Sequence, residues 1–187
     1  MRALLVEELL PDFGGCRLAD ELPKPAPRAG EVQVKIRAAA LGFPDLLMTH
    51  GGYQHKPDLP FTPGTEMAGE VTALGENITD FKIGDTVVGG ALGGGLAEMG
   101  VFPVAGLRAI PKSMDFATAA ATGSAYLTAY VSLVCRGHVQ HGDWVLVHGA
   151  AGGVGLAAVD LAKHLGARVI AVASTAEKRH LIETHYA

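Results

Sequence analysis

A short run of glycines carries the clearest chemical signal in the chain. Gly149-Ala150-Ala151-Gly152-Gly153-Val154-Gly155 follows the apolar segment Val145-Leu146-Val147. It opens a segment, 152–165, in which Val154, Leu156, Ala158, Val159, Leu161, Ala162 and Leu165 recur at helical spacing. A second apolar strand, 168–173, comes next. Glycines between a strand and a helix present backbone N–H groups and the positive end of the helix dipole to an anion. Glycine lets a phosphate approach the backbone, and Gly155 lets the helix pack against the strand. Gly149, Ala151, Gly152, Gly153, Val154 and Gly155 are therefore candidate ligands of a dinucleotide pyrophosphate. The bland alternative is a plain tight turn. A Walker A loop is excluded, because no Lys-Ser or Lys-Thr follows the last glycine.

The tip of the second strand selects between dinucleotides. An Asp or Glu about 20 residues past the glycines binds the ribose hydroxyls of NAD. Here the stretch reads Val172-Ala173-Ser174-Thr175-Ala176-Glu177-Lys178-Arg179, with Ser174 at the tip. Lys178 and Arg179 lie within one helical turn of it, and a cation there suits a 2′-phosphate. The pattern favours NADP(H) over NAD(H), with Ser174 and Lys178 as binding residues. Glu177, an NAD-type acid by chemistry, sits past the tip.

Composition narrows the remaining classes. The 187 residues carry Lys+Arg 15 against Asp+Glu 19, and 49% are hydrophobic, so a packed core is possible and general disorder is not expected. The 25 glycines show no three-residue period, which excludes collagen. Basic residues are scattered, leaving no electrostatic footprint for nucleic acid. No apolar run is long enough to span a bilayer. The N-terminus turns acidic at Glu7-Glu8, unlike a signal peptide. Two distant cysteines, Cys16 and Cys135, give no disulfide framework, so a cytoplasmic setting is expected. The eight histidines are scattered and no metal is expected.

The elements that must position these residues fall into two kinds. Before about residue 113 the chain reads as short strands: 2–6, then 31–38 with period-two alternation, 67–74 and 86–88. Pro23-Lys24-Pro25-Ala26-Pro27 is a stiff connector, and 44–50 reads as a turn or two of helix. Short strands between Gly/Pro turns suggest a compact barrel. Gly89-Gly90-Ala91-Leu92-Gly93-Gly94-Gly95 reads as a flexible surface loop. Further on, 115–121 and 125–135 have helical character. The strand–helix–strand–helix order then signals a parallel sheet, with Thr175 a candidate helix cap.

Over nearly its whole length the chain resembles the medium-chain dehydrogenase/reductase superfamily, and within it the zinc-free quinone oxidoreductase group. The resemblance is carried by Pro23-Lys24-Pro25 with Gly30-Glu31-Val32, by Phe43-Pro44-Asp45-Leu46-Leu47 and by Gly51-Gly52-Tyr53. It continues through Leu59-Pro60-Phe61-Thr62-Pro63-Gly64-Thr65-Glu66-Met67-Ala68-Gly69-Glu70-Val71, Phe81-Lys82-Ile83-Gly84-Asp85-Thr86-Val87, Thr128-Ala129-Tyr130 and the glycine turn. It implies an α/β-plus-β chain: a GroES-like β-barrel domain, 1–122, then an incomplete Rossmann parallel βαβ segment, 123–187. It implies NADPH as cofactor and hydride transfer to a small-molecule quinone or similar activated alkene or carbonyl. By position, Tyr53 and Thr128 resemble residues lining the nicotinamide end, and Lys178 the residue that pairs with the 2′-phosphate. Zinc alcohol dehydrogenases of the superfamily place a Cys and a His near Gly42 and Thr65, neither of which ligates zinc here. The quinone reductases tend to carry Asn where Gly42 stands, so one hydrogen bond near the nicotinamide is lost.

A complete Rossmann sheet has six parallel strands, whereas two are legible here, so the chain reads as the first half to two-thirds of an enzyme. Strands meant for burial would be left open, which suggests self-association as a homo-oligomer. Two alternative functions stand beside the oxidoreductase reading: a non-catalytic dinucleotide- or partner-binding remnant, and an enoyl-thioester reductase.

Overall fold

The structure is a computed structural model that describes residues 1–186. It divides into two compact units, Met1–Gly123 and Ser124–Ala187.

The first unit is built on an antiparallel five-stranded sheet. Its strands are β3 (Glu31–Ala40), β4 (Glu66–Leu74), β5 (Thr86–Gly89), β6 (Met99–Pro103) and β7 (Leu107–Ala109), in the order β6-β3-β4-β5-β7. Strands β1 (Ala3–Val6) and β2 (Cys16–Ala19) form a separate antiparallel pair, tied to the rest by isolated bridges Ala3↔Ala97 and Val6↔Phe61. The sheet is thus not closed into a hydrogen-bonded barrel; β6 and β7 remain edges. The period-two alternation of β3 does what it predicts: Val32 and Val34 enter a core with Met67, Val71, Val87, Phe102 and Leu107.

The glycine-rich stretch that reads as a free loop is instead hydrogen-bonded to another segment. The N–H groups of Gly94, Gly95 and Leu96 donate to the carbonyls of Thr62, Gly64 and Pro63, at 2.8, 2.8 and 2.9 Å. A Cβ at Gly64, whose φ is +100°, would run into the Leu96 backbone. These glycines let two stretches of main chain lie against each other.

One buried carboxylate organises the neighbouring helix, α1 (Phe43–Thr49). Asp45 is 1% exposed and accepts the Gly42 N–H at 2.8 Å, the Gly64 N–H at 3.0 Å and the Thr65 N–H at 2.9 Å. The Thr65 hydroxyl donates to it at 3.3 Å. The side chain therefore caps its own helix and clamps the 64–65 turn to it.

Residues 115–121 and 125–135, read as two segments, form one helix, α2 (Phe116–Tyr130), which runs into a π-helical stretch Val131–Arg136. Gly123 does not break it, because a Cβ there would press on the Glu66 carboxylate; the glycine marks close packing. The second unit continues with β8 (Trp144–His148), α3 (Gly153–His164), β9 (Arg168–Val172) and α4 (Ala176–Tyr186). β8 and β9 pair in parallel, Trp144↔Arg168 through His148↔Val172. One face of this pair, with Val145, Val147, Val169 and Ala171, packs with Val159 of α3 and Ile182 of α4. The other shows Trp144, Leu146, Ile170 and Val172, all at least 40% exposed. The Tyr126 hydroxyl donates to Asp160 at 2.7 Å, joining α2 to α3, and that bond holds the phenol up at about 12. No helix among the described residues is long and apolar enough to cross a membrane.

Asp45→Ala leaves the buried amide of Gly64 and the part-buried amides of Gly42 and Thr65 without their acceptor. A loss of about 3 kcal/mol is expected in urea unfolding, at the upper end for buried donors left unpaired. An unchanged urea midpoint would show that the clamp contributes nothing.

Candidate functional site

The turn between β8 and α3 is shaped by two glycines with different tasks. Gly149 stands at φ +63°, the left-handed region, and so turns the chain out of the strand. Gly155 sits where a Cβ would lie 2.7 Å from the Ala150 Cα and would also strike the Gly149 carbonyl. Only glycine lets the first turn of α3 come this close. The Gly152 N–H donates to the Gly149 carbonyl at 3.0 Å, and the Leu156 N–H to the Gly152 carbonyl at 2.8 Å. The amides of Gly153, Val154 and Gly155 lie between these bonds, in the first turn, where a helix has no internal acceptor. No acid stands in that turn, while Lys163 and His164 stand in the last, so no carboxylate offsets the positive end of the helix dipole. At Gly153 a Cβ would meet nothing within 4 Å, so this part of the turn faces open space.

The second half of the site comes from the end of β9. The Ala150 N–H donates to the Val172 carbonyl at 3.0 Å, fastening the glycine turn to the strand tip. Thr175 caps α4, accepting the Lys178 N–H on its hydroxyl at 3.2 Å. A cavity of about 360 Å³ results, lined by Gly149, Ala151, Gly152, Val172, Ala173, Ser174 and Lys178. Five of the residues selected from sequence meet in this one pocket. Gly153, Val154 and Gly155 do not line it; they contribute the adjoining helix terminus. Glu177 is absent from the lining.

The two cations read together from sequence separate in the structure. Lys178 lines the cavity, while the Arg179 guanidinium donates to the Ala173 carbonyl at 3.1 Å. That bond was not legible from the order of residues, because it depends on how α4 folds back over the strand tip.

The other two candidates lie in different units. Tyr53 is half-buried against Val6, Met48 and Phe61 in the first unit. Thr128 is exposed on α2 in the second, its carbonyl accepting the Ser132 hydroxyl at 2.8 Å. Sequence reasoning missed the role of Asp45. It joins the two positions compared above with zinc ligands, since its carboxylate receives hydrogen bonds from both Gly42 and Thr65. A Pro-Asp pair at a helix start was the available signal. Among the described residues no group of three or more His, Cys, Asp or Glu is placed to hold a metal.

The turn yields a contrast between neighbours. Gly155→Ala should destabilise by about 2 kcal/mol, the cost of overpacking against backbone, while Gly153→Ala stays within about 0.5 kcal/mol. Thermal unfolding of both variants checks this, and equal melting temperatures would contradict the packing role of Gly155.

Comparison with known proteins agrees with the geometry. Residues 28–112 match the alcohol dehydrogenase GroES-like domain. The quinone oxidoreductase of Pongo abelii is 37% identical over 186 residues, covering 97% of this chain and 55% of that protein. A quinone oxidoreductase-like protein 2 homolog of Nematostella vectensis is 44% identical over 155 residues, 82% of this chain and 42% of that one. Among solved structures, the quinone oxidoreductase of Thermus thermophilus, crystallised also as its complex with NADPH, superposes with a TM-score of 0.82 at 36% identity. The overlap covers 95% of this chain and 55% of that one. The chain spans about half the length of the curated relatives it matches. With a GroES-like domain followed by a Rossmann-like segment, the chain belongs to the quinone oxidoreductase group of the medium-chain dehydrogenase/reductase superfamily.

Proposed function

We propose that the protein is a zinc-independent, NADPH-dependent oxidoreductase of the cytoplasm that reduces a quinone or a similar activated alkene or carbonyl. The observation that carries this reading is the cavity at the strand tips. It combines a phosphate-facing helix terminus with Ser174 and Lys178, and excludes the acid expected for NAD. The likeness to a quinone oxidoreductase crystallised with NADPH supports the same choice.

The residues present fit the dinucleotide. The amides of Gly153, Val154 and Gly155 point where a pyrophosphate needs donors, and the open space beside Gly153 leaves room for it. Ser174 and Lys178 would hold the 2′-phosphate, the ammonium as a point charge and the hydroxyl as a donor. When bound, NADPH supplies the hydride. Tyr53 and Thr128 are assigned to the reacting end as positioning groups, each offering a hydroxyl. Zinc independence is supported by the donor set. Gly42 and Thr65 offer no zinc ligand, and the nearby Asp45 oxygens already accept N–H and O–H donors.

The rate of NADPH oxidation with a simple quinone tests the reading directly; a folded chain with no turnover would count against it. Lys178→Ala should raise the Kd for NADPH about ten-fold and leave that for NADH within about two-fold, the scale of one charge-assisted contact to phosphate. Equal Kd values for both dinucleotides in the unmodified chain would overturn the NADPH preference.

A further inference from the structure

We infer that Arg179 is a positioning residue of the phosphate cavity, locking the lip formed by Ala173, Ser174 and Thr175 without touching the nucleotide. The inference rests on the NADP(H) reading of the cavity and concerns how its selective end is held in shape.

The ladder between β8 and β9 ends at His148↔Val172. The Ala173 carbonyl lies one residue beyond, so no strand partner satisfies it. Arg179 supplies the missing donor from six residues downstream, through Nη1 at 3.1 Å. The same residue is anchored by its own backbone, whose N–H donates to the Thr175 carbonyl at 3.1 Å. Thr175 in turn accepts the Lys178 N–H on its hydroxyl. The Val172 carbonyl, on the near side of the lip, holds the Ala150 N–H. The lip is thus fixed at both ends, and Ala173 and Ser174 of it line the cavity.

Two adjacent cations consequently divide the work. The Lys178 side chain makes no hydrogen bond among the described residues and lines the cavity. The Arg179 guanidinium is committed to main chain. A flat, forked donor suits this task, whereas a flexible point charge suits the phosphate. The competing assignment makes Arg179 itself a ligand of the 2′-phosphate.

Calorimetric titration of the full chain with 2′,5′-ADP and with 5′-AMP, at several salt concentrations, separates these roles. Arg179→Ala should weaken 2′,5′-ADP about five-fold, the scale of one lost hydrogen bond, and 5′-AMP less than about two-fold. Its salt dependence should match that of the unmodified chain. Lys178→Ala should weaken 2′,5′-ADP and flatten its salt dependence, because a direct charge contact is screened by ions. Unchanged 2′,5′-ADP affinity in Arg179→Ala overturns the inference while leaving the cavity reading intact. Equal losses on both nucleotides would mark a general structural role and also overturn it. A salt dependence flattened as in Lys178→Ala would make Arg179 a ligand, which is the competing assignment. An unmodified chain that binds neither nucleotide overturns the cavity reading, and this inference with it.

Discussion

The second unit depends on how closely the first turn of α3 approaches the backbone leaving β8. Gly155 has no room for a side chain against Ala150 and the Gly149 carbonyl. That approach places the amides of Gly153, Val154 and Gly155 beside the strand tips, and the Ala150–Val172 hydrogen bond keeps both tips level. Without it, a helix dipole and three donors would point at nothing in particular. With it, an anion-binding terminus and a cation-bearing lip border one cavity. The shape of the cavity thus follows from backbone packing, and Ser174 and Lys178 line it.

The first unit solves a similar problem with a side chain in place of a glycine. Asp45 reaches across from α1 and collects main-chain donors from both Gly42 and the 64–65 turn. A buried carboxylate is expensive unless its oxygens are fully hydrogen-bonded, and here they are. The zipped glycines at 94–95 back the same turn from the other side through Thr62 and Gly64. Thr65, the position compared above with a zinc ligand, is thus tied to Asp45 through both its N–H and its hydroxyl.

Legibility in sequence followed the range of the interactions. The glycine turn, Ser174, Lys178 and the Thr175 cap lie within 149–178, where chain order nearly dictates contact, and the structure brings them together. The alternation of β3 was legible for the same reason. What was not legible depended on distant partners. The continuity of 115–121 with 125–135 was missed, and the glycine between them, Gly123, packs on Glu66 far back in the chain. The 89–95 stretch looked like a loose loop because its partners are distant, Gly94 and Gly95 bonding to 62–64 and Gly90 to Gly106. The barrel reading found β1, β3, β4 and β5 but missed β2, β6 and β7, and could not tell that β6 and β7 end the sheet as edges. The opposed uses of Lys178 and Arg179 were invisible because both are cations one residue apart.

The exposed face of the β8–β9 pair shows where local order stops being enough. Trp144, Leu146, Ile170 and Val172 alternate with residues that pack on α3 and α4, so the pair is apolar on both sides but covered on one. Parallel strands of this composition are ordinarily buried on both faces. The cavity at the strand tips draws on that open face too: Val172 lines it beside the glycine turn, Ala173, Ser174 and Lys178. Tyr53 and Thr128, by contrast, belong to different units, and no single run of sequence carries both. The proposed binding and the proposed turnover are for that reason separate properties to measure, and one does not stand in for the other.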